Sequence, residues 1–278
     1  MTTQHVRIGR WKYLPEGISD AQLFAIGDIH GQATTLEVAL AAIAEIPRRE
    51  KVRRLIFLGD LIDRGPQSLR AIAMAMDAPR LALVDDVIIL PGNHELMLLD
   101  GLASPEHYLA DWLDNGGEDL ILEAEPGCAA RRLNDLAEIA RRAIDPKFLE
   151  VIRNGPSWHR ESNLVFVHAG LNPNADAYEF LSRPRLLSLN CDHWAWIREP
   201  FLNWTSGWGP ERSWLIIHGH TPAINMPEDL QTFEHEADKL ATHRRLCLDA
   251  GAAMGLPQLA FLEVVGGKYR VGLIAARQ

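Results

Sequence analysis

The sequence of 278 residues is poor in cysteine, and this excludes two kinds of structure. It contains three cysteines, Cys128, Cys191 and Cys247, an odd number without any CxxC spacing. A small disulfide-stabilised domain and a thiolate zinc site both need cysteines in closer, paired arrangements. We therefore expect three reduced thiols in a cytoplasmic protein.

Long apolar runs are also missing. The first 20 residues are mixed polar, include Pro15 and Gly17, and lack the apolar stretch of a signal peptide. No run elsewhere in the sequence approaches the roughly 20 apolar residues of a membrane-spanning helix. The sequence therefore predicts a cytoplasmic protein that does not partner with a membrane.

Positive charge is scarce relative to negative charge. The chain has 28 Lys and Arg against 37 Asp and Glu, a formal net charge of -9. A basic nucleic-acid-binding surface needs clustered Lys and Arg, so we expect no such surface. An anionic substrate is still compatible with this charge, because a bound metal pair can reverse the local sign.

The remaining composition is that of an ordinary globular protein, with 47% hydrophobic and 23% charged residues and no internal repeat. The length suits a single α/β domain over residues 1–278. Residues 101–155 differ from the rest because they are charged, helix-prone and without a strand signal. We expect them to form a helical insertion beside the functional site, where substrate selectivity is often determined.

The most informative pattern is a short apolar strand that stops at a glycine or histidine beside a potential metal ligand. The carboxyl ends of parallel strands share one edge of a sheet, and open α/β sheets bind their ligands there. The pattern occurs five times, at Gly27-Asp28-Ile29-His30-Gly31, Gly59-Asp60-Leu61-Ile62-Asp63-Arg64-Gly65, Gly92-Asn93-His94-Glu95, His168-Ala169-Gly170 and Gly219-His220-Thr221.

The apolar residues between the first three strands recur at helical spacing. They predict helices from Thr35 to about Arg49 and around 69–76, and hence a parallel sheet with right-handed crossovers. Toward the end of the chain, the apolar runs 246–248, 259–265 and 269–274 predict antiparallel strands.

The potential ligands at the strand ends are carboxylate, amide and imidazole groups, without a thiolate. This donor set suits manganese, iron or zinc. Six ligands exceed the need of one tetrahedral site, whereas two metals that share a bridging carboxylate would use all of them. Asp60 lies in the middle of the order and is the natural bridge. The expected ligands are Asp28, His30, Asp60, Asn93, His168 and His220.

Such a metal pair indicates phosphoryl chemistry. Two metals about 4 Å apart lower the pKa of a bridging water and stabilise an in-line displacement, so hydroxide attacks phosphorus directly. His94 is then available to protonate the leaving oxygen, and Asp63 to orient and charge its imidazole. We expect Arg64 to bind the phosphate oxygens through its planar guanidinium.

Together these five blocks resemble the signature of the phosphoprotein phosphatase family of calcineurin-like metallophosphoesterases. This branch contains Ser/Thr protein phosphatases and bacterial diadenosine tetraphosphate hydrolases. The resemblance covers roughly residues 22–265, and five ordered blocks are far more specific than one motif. It implies a four-layer αββα sandwich, in which two sheets pack face to face with helices outside.

The resemblance also implies roles for individual residues. Asp63 and His94 match the acid dyad, and Arg64 matches a phosphate-binding arginine. It implies two divalent metals, of which manganese is expected and iron or zinc are alternatives. The first metal would be held by Asp28, His30 and Asp60. The second would be held by Asp60, Asn93, His168 and His220.

Two further positions bear on this resemblance. The stretch Trp196-Ile197-Arg198-Glu199 resembles the place where bacterial members carry a second phosphate-binding arginine, so Arg198 is the candidate and Arg212 its rival. Thr221 is followed by Pro222, so the Gly-His-x-His ending of generic metallophosphoesterases is missing. This departure favours the phosphoprotein phosphatase branch.

We therefore expect hydrolysis of phosphoric monoesters, with phosphoserine and phosphothreonine proteins as substrates. Symmetrical cleavage of diadenosine tetraphosphate is the alternative, with the same metals and a different groove. A non-catalytic phosphate-binding module is disfavoured, because every ligand and dyad position is filled. Glu95 is either a helix N-terminal charge or a chemical group, Asp249 either supports the site or forms a turn, and His218 is expected to point away from the metals.

Overall fold

The computed structural model describes residues 4–17, 19–128, 131–185, 191–222 and 230–276, which form two β-sheets with helices around them. The strands are β1 Gln4–Ile8, β2 Lys12–Tyr13, β3 Ser19–Ile26, β4 Arg53–Phe57, β5 Asp86–Ile89, β6 Trp158–Glu161, β7 Leu164–Val167, β8 Leu215–His218, β9 Arg245–Cys247, β10 Leu259–Gly266 and β11 Lys268–Ala276. The α-helices are α1 Ala33–Glu45, α2 Ser68–Met76, α3 Ala78–Leu81, α4 Asn93–Ala103, α5 Ala110–Trp112, α6 Glu118–Ala124, α7 Leu133–Ala143, α8 Pro146–Asn154, α9 Ala177–Leu181 and α10 Leu230–Thr242.

The larger sheet has the order β1-β11-β10-β3-β4-β5, with β2 beside β11. Strands β3, β4 and β5 are parallel and are connected through α1 and then α2 and α3, which confirms the predicted parallel sheet. Strands β10 and β11 pair antiparallel, as predicted. Helix α1 ends at Glu45, earlier than predicted, because Ile46 precedes Pro47 and takes an extended conformation with ψ 128°.

The smaller sheet has the order β6-β7-β8-β9. Strand β6 is antiparallel to β7, whereas β7, β8 and β9 are parallel. The prediction that residues 246–248 join the antiparallel C-terminal strands was therefore wrong, since Leu246 and Cys247 lie in β9 of this sheet. A parallel neighbour needs a long crossover connection, and α10, which the sequence analysis missed, lies in it.

The two sheets pack face to face through alternate residues of their strands. Leu23 and Ala25 of β3 share one buried cluster with Leu164 and Phe166 of β7. Phe24 of β3 faces the opposite way, into the cluster that contains α1 and α2. Side chains alternate between the faces of a strand, so strands that are buried on both faces need the continuous apolar runs of this sequence.

The outer layers differ between the two sheets. Helices α1, α2, α4, α7 and α8 contribute to the core outside the larger sheet. The smaller sheet is covered by α9 and by loops that bury Trp194 and Trp208. This arrangement confirms the predicted four-layer sandwich with a helical insertion.

Residues 101–128 and 131–155 form helices and loops, including π-helical turns at Pro105–Leu109 and Leu113–Gly117. Within the described ranges, no helix is long and apolar enough to cross a membrane.

Candidate active site

The site lies where the carboxyl ends of strands from both sheets meet. Asp28, Asp60 and Asn93 follow β3, β4 and β5 of the larger sheet, while His168 and His220 follow β7 and β8 of the smaller sheet. All five side chains are buried. The face-to-face packing of the sheets therefore brings together groups that lie up to 192 residues apart in the sequence.

One group of potential ligands surrounds His30. Its Nε2 atom lies 3.5 Å from Oδ2 of Asp60 and 3.9 Å from Oδ2 of Asp28. Ligand atoms of His30, Asp60 and His94 all lie within 4.8 Å of one another. The structure thus brings Asp28, His30 and Asp60 together, with the ring of His94 beside them.

A second group shares Asp60 with the first. Oδ2 of Asp60 lies 3.4 Å from Nε2 of His168, and Oδ1 of Asn93 lies 3.0 Å from that same nitrogen. Oδ1 of Asn93 also lies 2.9 Å from Nδ1 of His220. Asp60 is the member common to both groups, at the position of a bridging ligand.

Backbone carbonyl groups orient two of the imidazole rings. Nδ1 of His30 lies 3.1 Å from the carbonyl oxygen of Ile62, and Nδ1 of His168 lies 2.9 Å from that of Leu58. In the neutral form of each ring, a proton on Nδ1 donates to the carbonyl and leaves the Nε2 lone pair available to a metal. Metal-binding histidines are commonly oriented in this way.

The predicted acid dyad is assembled in the structure. Nδ1 of His94 lies 2.8 Å from Oδ2 of Asp63, and both side chains are buried. The same Oδ2 accepts a hydrogen bond of 2.8 Å from the indole N–H of Trp112, which belongs to the insertion. The backbone N–H of His94 donates to Oδ1 of Asp60, so the dyad and the shared carboxylate are directly connected.

Two arginines line the cavity above these groups. This cavity has a volume of about 260 Å³, and Arg64 and Arg198 line it together with His30, Asp60, Asn93, His94 and His220. Arg212, the rival of Arg198, lines a different cavity beside Trp204 and Trp208. The structure therefore brings Arg198, rather than Arg212, to the site.

The backbone at the site is strained. His30, Asp60, Asp63, Arg64 and His220 all have positive φ angles, between 44° and 72°. Residues with a side chain rarely adopt this conformation, which costs of order 1–3 kcal/mol and persists where the surroundings enforce it. Five of the ten candidate site residues are held in this way, and sequence patterns gave no signal of it.

Two buried acids, Glu95 and Asp249, support the site. The carboxylate of Glu95 accepts backbone hydrogen bonds of 2.8 Å from Asp60, Leu61 and Gly92, so it joins the ends of β4 and β5. Glu95 is also in the first turn of α4, as the sequence allowed. Asp249 forms a turn by accepting from the N–H of Gly251, and it also lines the cavity.

His218 lies apart from the candidate ligands. Its ring packs against Phe201 with the centroids 4.9 Å apart, and burial lowers its pKa to about 3. Its neighbours belong to the core outside the smaller sheet, as expected from the alternation of residues along β8.

The site concentrates acidic groups in the protein interior. Burial, followed by the nearby carboxyl of Asp249, raises the pKa of Asp28 well above its usual value. Burial opposes ionisation of Asp60, but the neighbouring rings of His168 and His94 outweigh it and hold its pKa well below the usual value. Burial lowers the pKa of His30 to about 3, so that this ring is neutral. Buried carboxylates need a partner cation.

The donor set fits divalent cations. It combines carboxylates with imidazole and amide groups, which bind first-row transition metals. Nε2 of His220 is buried without a hydrogen-bond partner among the described residues, although its Nδ1 contacts Asn93. A buried polar atom without a partner is costly and is commonly explained by an ion or a ligand.

Comparisons with known proteins identify the family of this chain. Residues 22–251 match the model of the family described as calcineurin-like phosphoesterase. Serine/threonine-protein phosphatase 1 of Salmonella typhimurium is 30% identical over 79% of this chain and 83% of its own length.

Two relatives have names that refer to nucleotides. An asymmetrical bis(5'-nucleosyl)-tetraphosphatase PrpE of Halalkalibacterium halodurans is 26% identical over 87% of this chain and 91% of its own length. A symmetrical bis(5'-nucleosyl)-tetraphosphatase of Chromohalobacter salexigens is 32% identical over 54% of this chain, which spans only 45% of that relative. The match over residues 22–251 nevertheless covers most of the chain. The protein is therefore a member of the calcineurin-like phosphoesterase family, a metal-dependent hydrolase of phosphate esters.

Proposed function

We propose that the protein removes phosphate from phosphoserine and phosphothreonine residues of other proteins. The observation that carries this proposal is the negative charge of the first part of the insertion, residues 101–128, which contacts Arg64. Residues 101–128 contain no lysine or arginine and seven acidic residues, Glu106, Asp111, Asp114, Glu118, Asp119, Glu123 and Glu125.

Part of this charge lies close to the site. Asp114, Glu118 and Asp119 are exposed and line a cavity of about 440 Å³ together with Gly116. The carbonyl of Gly116 in turn accepts a hydrogen bond of 3.1 Å from the backbone N–H of Arg64. An approaching polyphosphate chain is repelled by such a surface, whereas a phosphopeptide with basic residues beside its phosphate is attracted.

Two divalent cations, with manganese as the first choice, are assigned to the two ligand groups. Asp28, His30 and Asp60 would hold one of them, and Asp60, Asn93, His168 and His220 the other. When bound, such a pair supplies positive charge that polarises the phosphoryl group and lowers the pKa of the attacking water.

The other residues bind the substrate and move its proton. Arg64 and Arg198, which both line the cavity, bind the phosphate oxygens and orient the phosphorus for attack. His94 donates a proton to the leaving serine or threonine oxygen. Asp63 holds the proton on Nδ1 of His94, so that Nε2 faces the substrate and carries the transferred proton.

Symmetrical hydrolysis of diadenosine tetraphosphate is the second candidate. It is supported by the names of relatives such as that of Chromohalobacter salexigens. It uses the same ligands and dyad, but it requires room for two nucleosides and a groove that accepts several phosphates. The acidic insertion disfavours such a groove.

The test is hydrolysis by metal-stripped protein refilled with manganese, iron or zinc. A phosphoserine peptide with flanking arginines and diadenosine tetraphosphate are offered separately, and phosphate or nucleotide release is measured. We expect a higher kcat/KM for the peptide. Preference for the dinucleotide would replace this proposal by the second candidate, and activity on neither would favour a phosphate-binding module.

A charge variant tests the observation that carries the proposal. Removing the three negative charges that line the cavity beside Gly116 should lower kcat/KM for the basic peptide several-fold and raise kcat/KM for diadenosine tetraphosphate. The variant is Asp114→Asn/Glu118→Gln/Asp119→Asn. The control removes three exposed charges on β3 and α1 instead, at Asp20, Glu37 and Glu45. Equal effects of both variants would contradict a local role of the insertion.

A further inference from the structure

The insertion contacts Asp63 and Arg64, the two candidate catalytic residues in the loop after β4. Its residues 112–117, which we call the clamp segment, include the π-helical turn Leu113–Gly117. Trp112 donates its indole N–H to Asp63, and the carbonyl of Gly116 accepts from the backbone N–H of Arg64. The carbonyl of Asn115 lies 3.2 Å from Nε of Arg64 and accepts a further hydrogen bond.

The contact between Trp112 and Asp63 is fully buried. Neither side chain is exposed to solvent. Oδ2 of Asp63 receives the indole N–H at 2.8 Å and faces Nδ1 of His94 at 2.8 Å, while Oδ1 has no partner among the described residues. A carboxylate that is anchored by a second donor cannot rotate away from the histidine. The indole therefore fixes the position of the Asp63 oxygen that contacts His94.

The two glycines of the clamp segment allow this close approach. Gly116 has a φ of 107°, and a Cβ atom there would lie 2.6 Å from Cγ of Arg64. A Cβ atom on Gly117 would overlap the indole of Trp112. Asp63 and Arg64 are themselves consecutive residues with positive φ, at 72° and 65°. The clamp segment therefore holds a strained pair of residues from outside their own loop.

We propose that Trp112 is a positioning residue for the acid dyad, acting through Asp63 on the orientation of His94. This inference rests on the proposed role of His94 as the general acid. The indole N–H itself does not reach the substrate; it keeps Asp63 in line with Nδ1, so that Nε2 of His94 points at the leaving oxygen.

The role depends on the indole N–H, so the sharpest variant removes only that group. Replacing Trp112 by β-(3-benzothienyl)alanine substitutes sulfur for N–H and keeps the ring shape. Trp112→Phe is the simpler variant, at the expense of some packing. The matched control is the same replacement at Trp194, which is equally buried and donates its indole N–H to the carbonyl of Arg183 at 3.0 Å, away from the dyad.

Two aryl phosphates separate positioning from general damage. Phenyl phosphate has a poor leaving group that depends on protonation, whereas p-nitrophenyl phosphate depends on it much less. We expect the Trp112 replacement to lower kcat for phenyl phosphate about 10-fold or more, as for other outer partners of site residues. We expect smaller changes, under about 3-fold, for p-nitrophenyl phosphate, with KM and bound metal unchanged.

Further readouts keep this inference separate from the proposed substrate. Both aryl phosphates report phosphatase activity as such, so a failure on phosphopeptides would overturn the proposed substrate and leave this result standing. The ¹⁵N signals of His94 in metal-loaded protein should also change in the Trp112 variant and stay unchanged in the Trp194 variant. An equal loss of kcat on both aryl phosphates, or no loss on either, would overturn the positioning role.

Discussion

The carboxylate of Asp60 and the ring of His168 come from the ends of strands in different sheets, yet their nearest atoms lie 3.4 Å apart. Asp60 follows β4 in the larger sheet, and His168 follows β7 in the smaller sheet. The site therefore exists only while the two sheets are packed together. Removal of either side chain should weaken both metal binding and the packing of the two sheets against each other.

Asp60→Asn should abolish the binding of both metals and the turnover. Its carboxylate is shared by both ligand groups, and an amide supplies only one neutral oxygen in its place. Metal content after dialysis and kcat on p-nitrophenyl phosphate measure the two effects. Asp111→Asn, at an exposed position of the insertion, is the control. Retention of one tightly bound metal would exclude the bridging role.

His94→Asn should keep the metals and lower kcat by about 10²- to 10⁴-fold, the usual range for loss of a general acid. The backbone N–H that His94 donates to Asp60 is retained in this variant. Metal content and kcat on phenyl phosphate are measured together. His107→Asn, in the exposed part of the insertion, should behave as the wild type. Full activity of the His94 variant would refute the acid role.

Arg64→Lys and Arg198→Lys should both raise KM for phosphate esters, because a lysine cannot bind two phosphate oxygens through one planar group. A loss of about 10-fold in kcat/KM for each corresponds to one charge-assisted hydrogen bond of roughly 1.5 kcal/mol. Arg212→Lys is the matched control, since Arg212 lines another cavity. An effect of Arg212 that equals that of Arg198 would contradict the assignment.

Glu95→Gln should destabilise the metal-free protein by about 1–3 kcal/mol, the cost of a buried donor without an acceptor. Three backbone N–H groups point at the two oxygens of Glu95, and a glutamine must place its NH₂ against at least one of them. Urea unfolding measures the change in the free energy of unfolding. Glu45→Gln, at the exposed end of α1, should change it little. Equal stabilities would show that these hydrogen bonds are dispensable.

Acid should weaken the pair formed by Asp85 and Arg48. The side-chain hydrogen bonds from Arg48, followed by the backbone N–H of Arg53, lower the pKa of Asp85 to about 2. In the unfolded chain its pKa is about 3.9. The folded protein therefore gains stability from this group above pH ~4 and loses that gain as the pH falls toward 2.

The free energy of unfolding of Asp85→Asn should accordingly depend less on pH between about 4 and 2 than that of the wild type. Urea unfolding at several pH values in this window measures the difference. Asp20→Asn, at an exposed position of β3, is the control variant. Parallel curves for the wild type and Asp85→Asn would contradict the predicted contribution.

Local patterns predicted the elements that carry the site. The apolar strands that end at Asp28, Asp60, Asn93, His168 and His220 were recognised because strands buried on both faces need continuous apolar runs. Helix α10 and strand β9 were missed or misassigned, because the pairing of β9 with β8 depends on a crossover that no short window of sequence contains.

The sequence by itself determined which groups are available at the site: an acidic chain with few cysteines, carboxylate and imidazole ligands at strand ends, and two arginines near them. Only the tertiary structure decided which groups meet. It brought Arg198 rather than Arg212 to the cavity, gave Glu95 its three N–H donors, and placed Trp112 against Asp63. The reason is physical: side-chain type and spacing are local properties, whereas most contacts of the site join residues far apart in the sequence. They range from 31 residues between Asp63 and His94 to 192 between Asp28 and His220, and they arise only when two sheets and an insertion pack together.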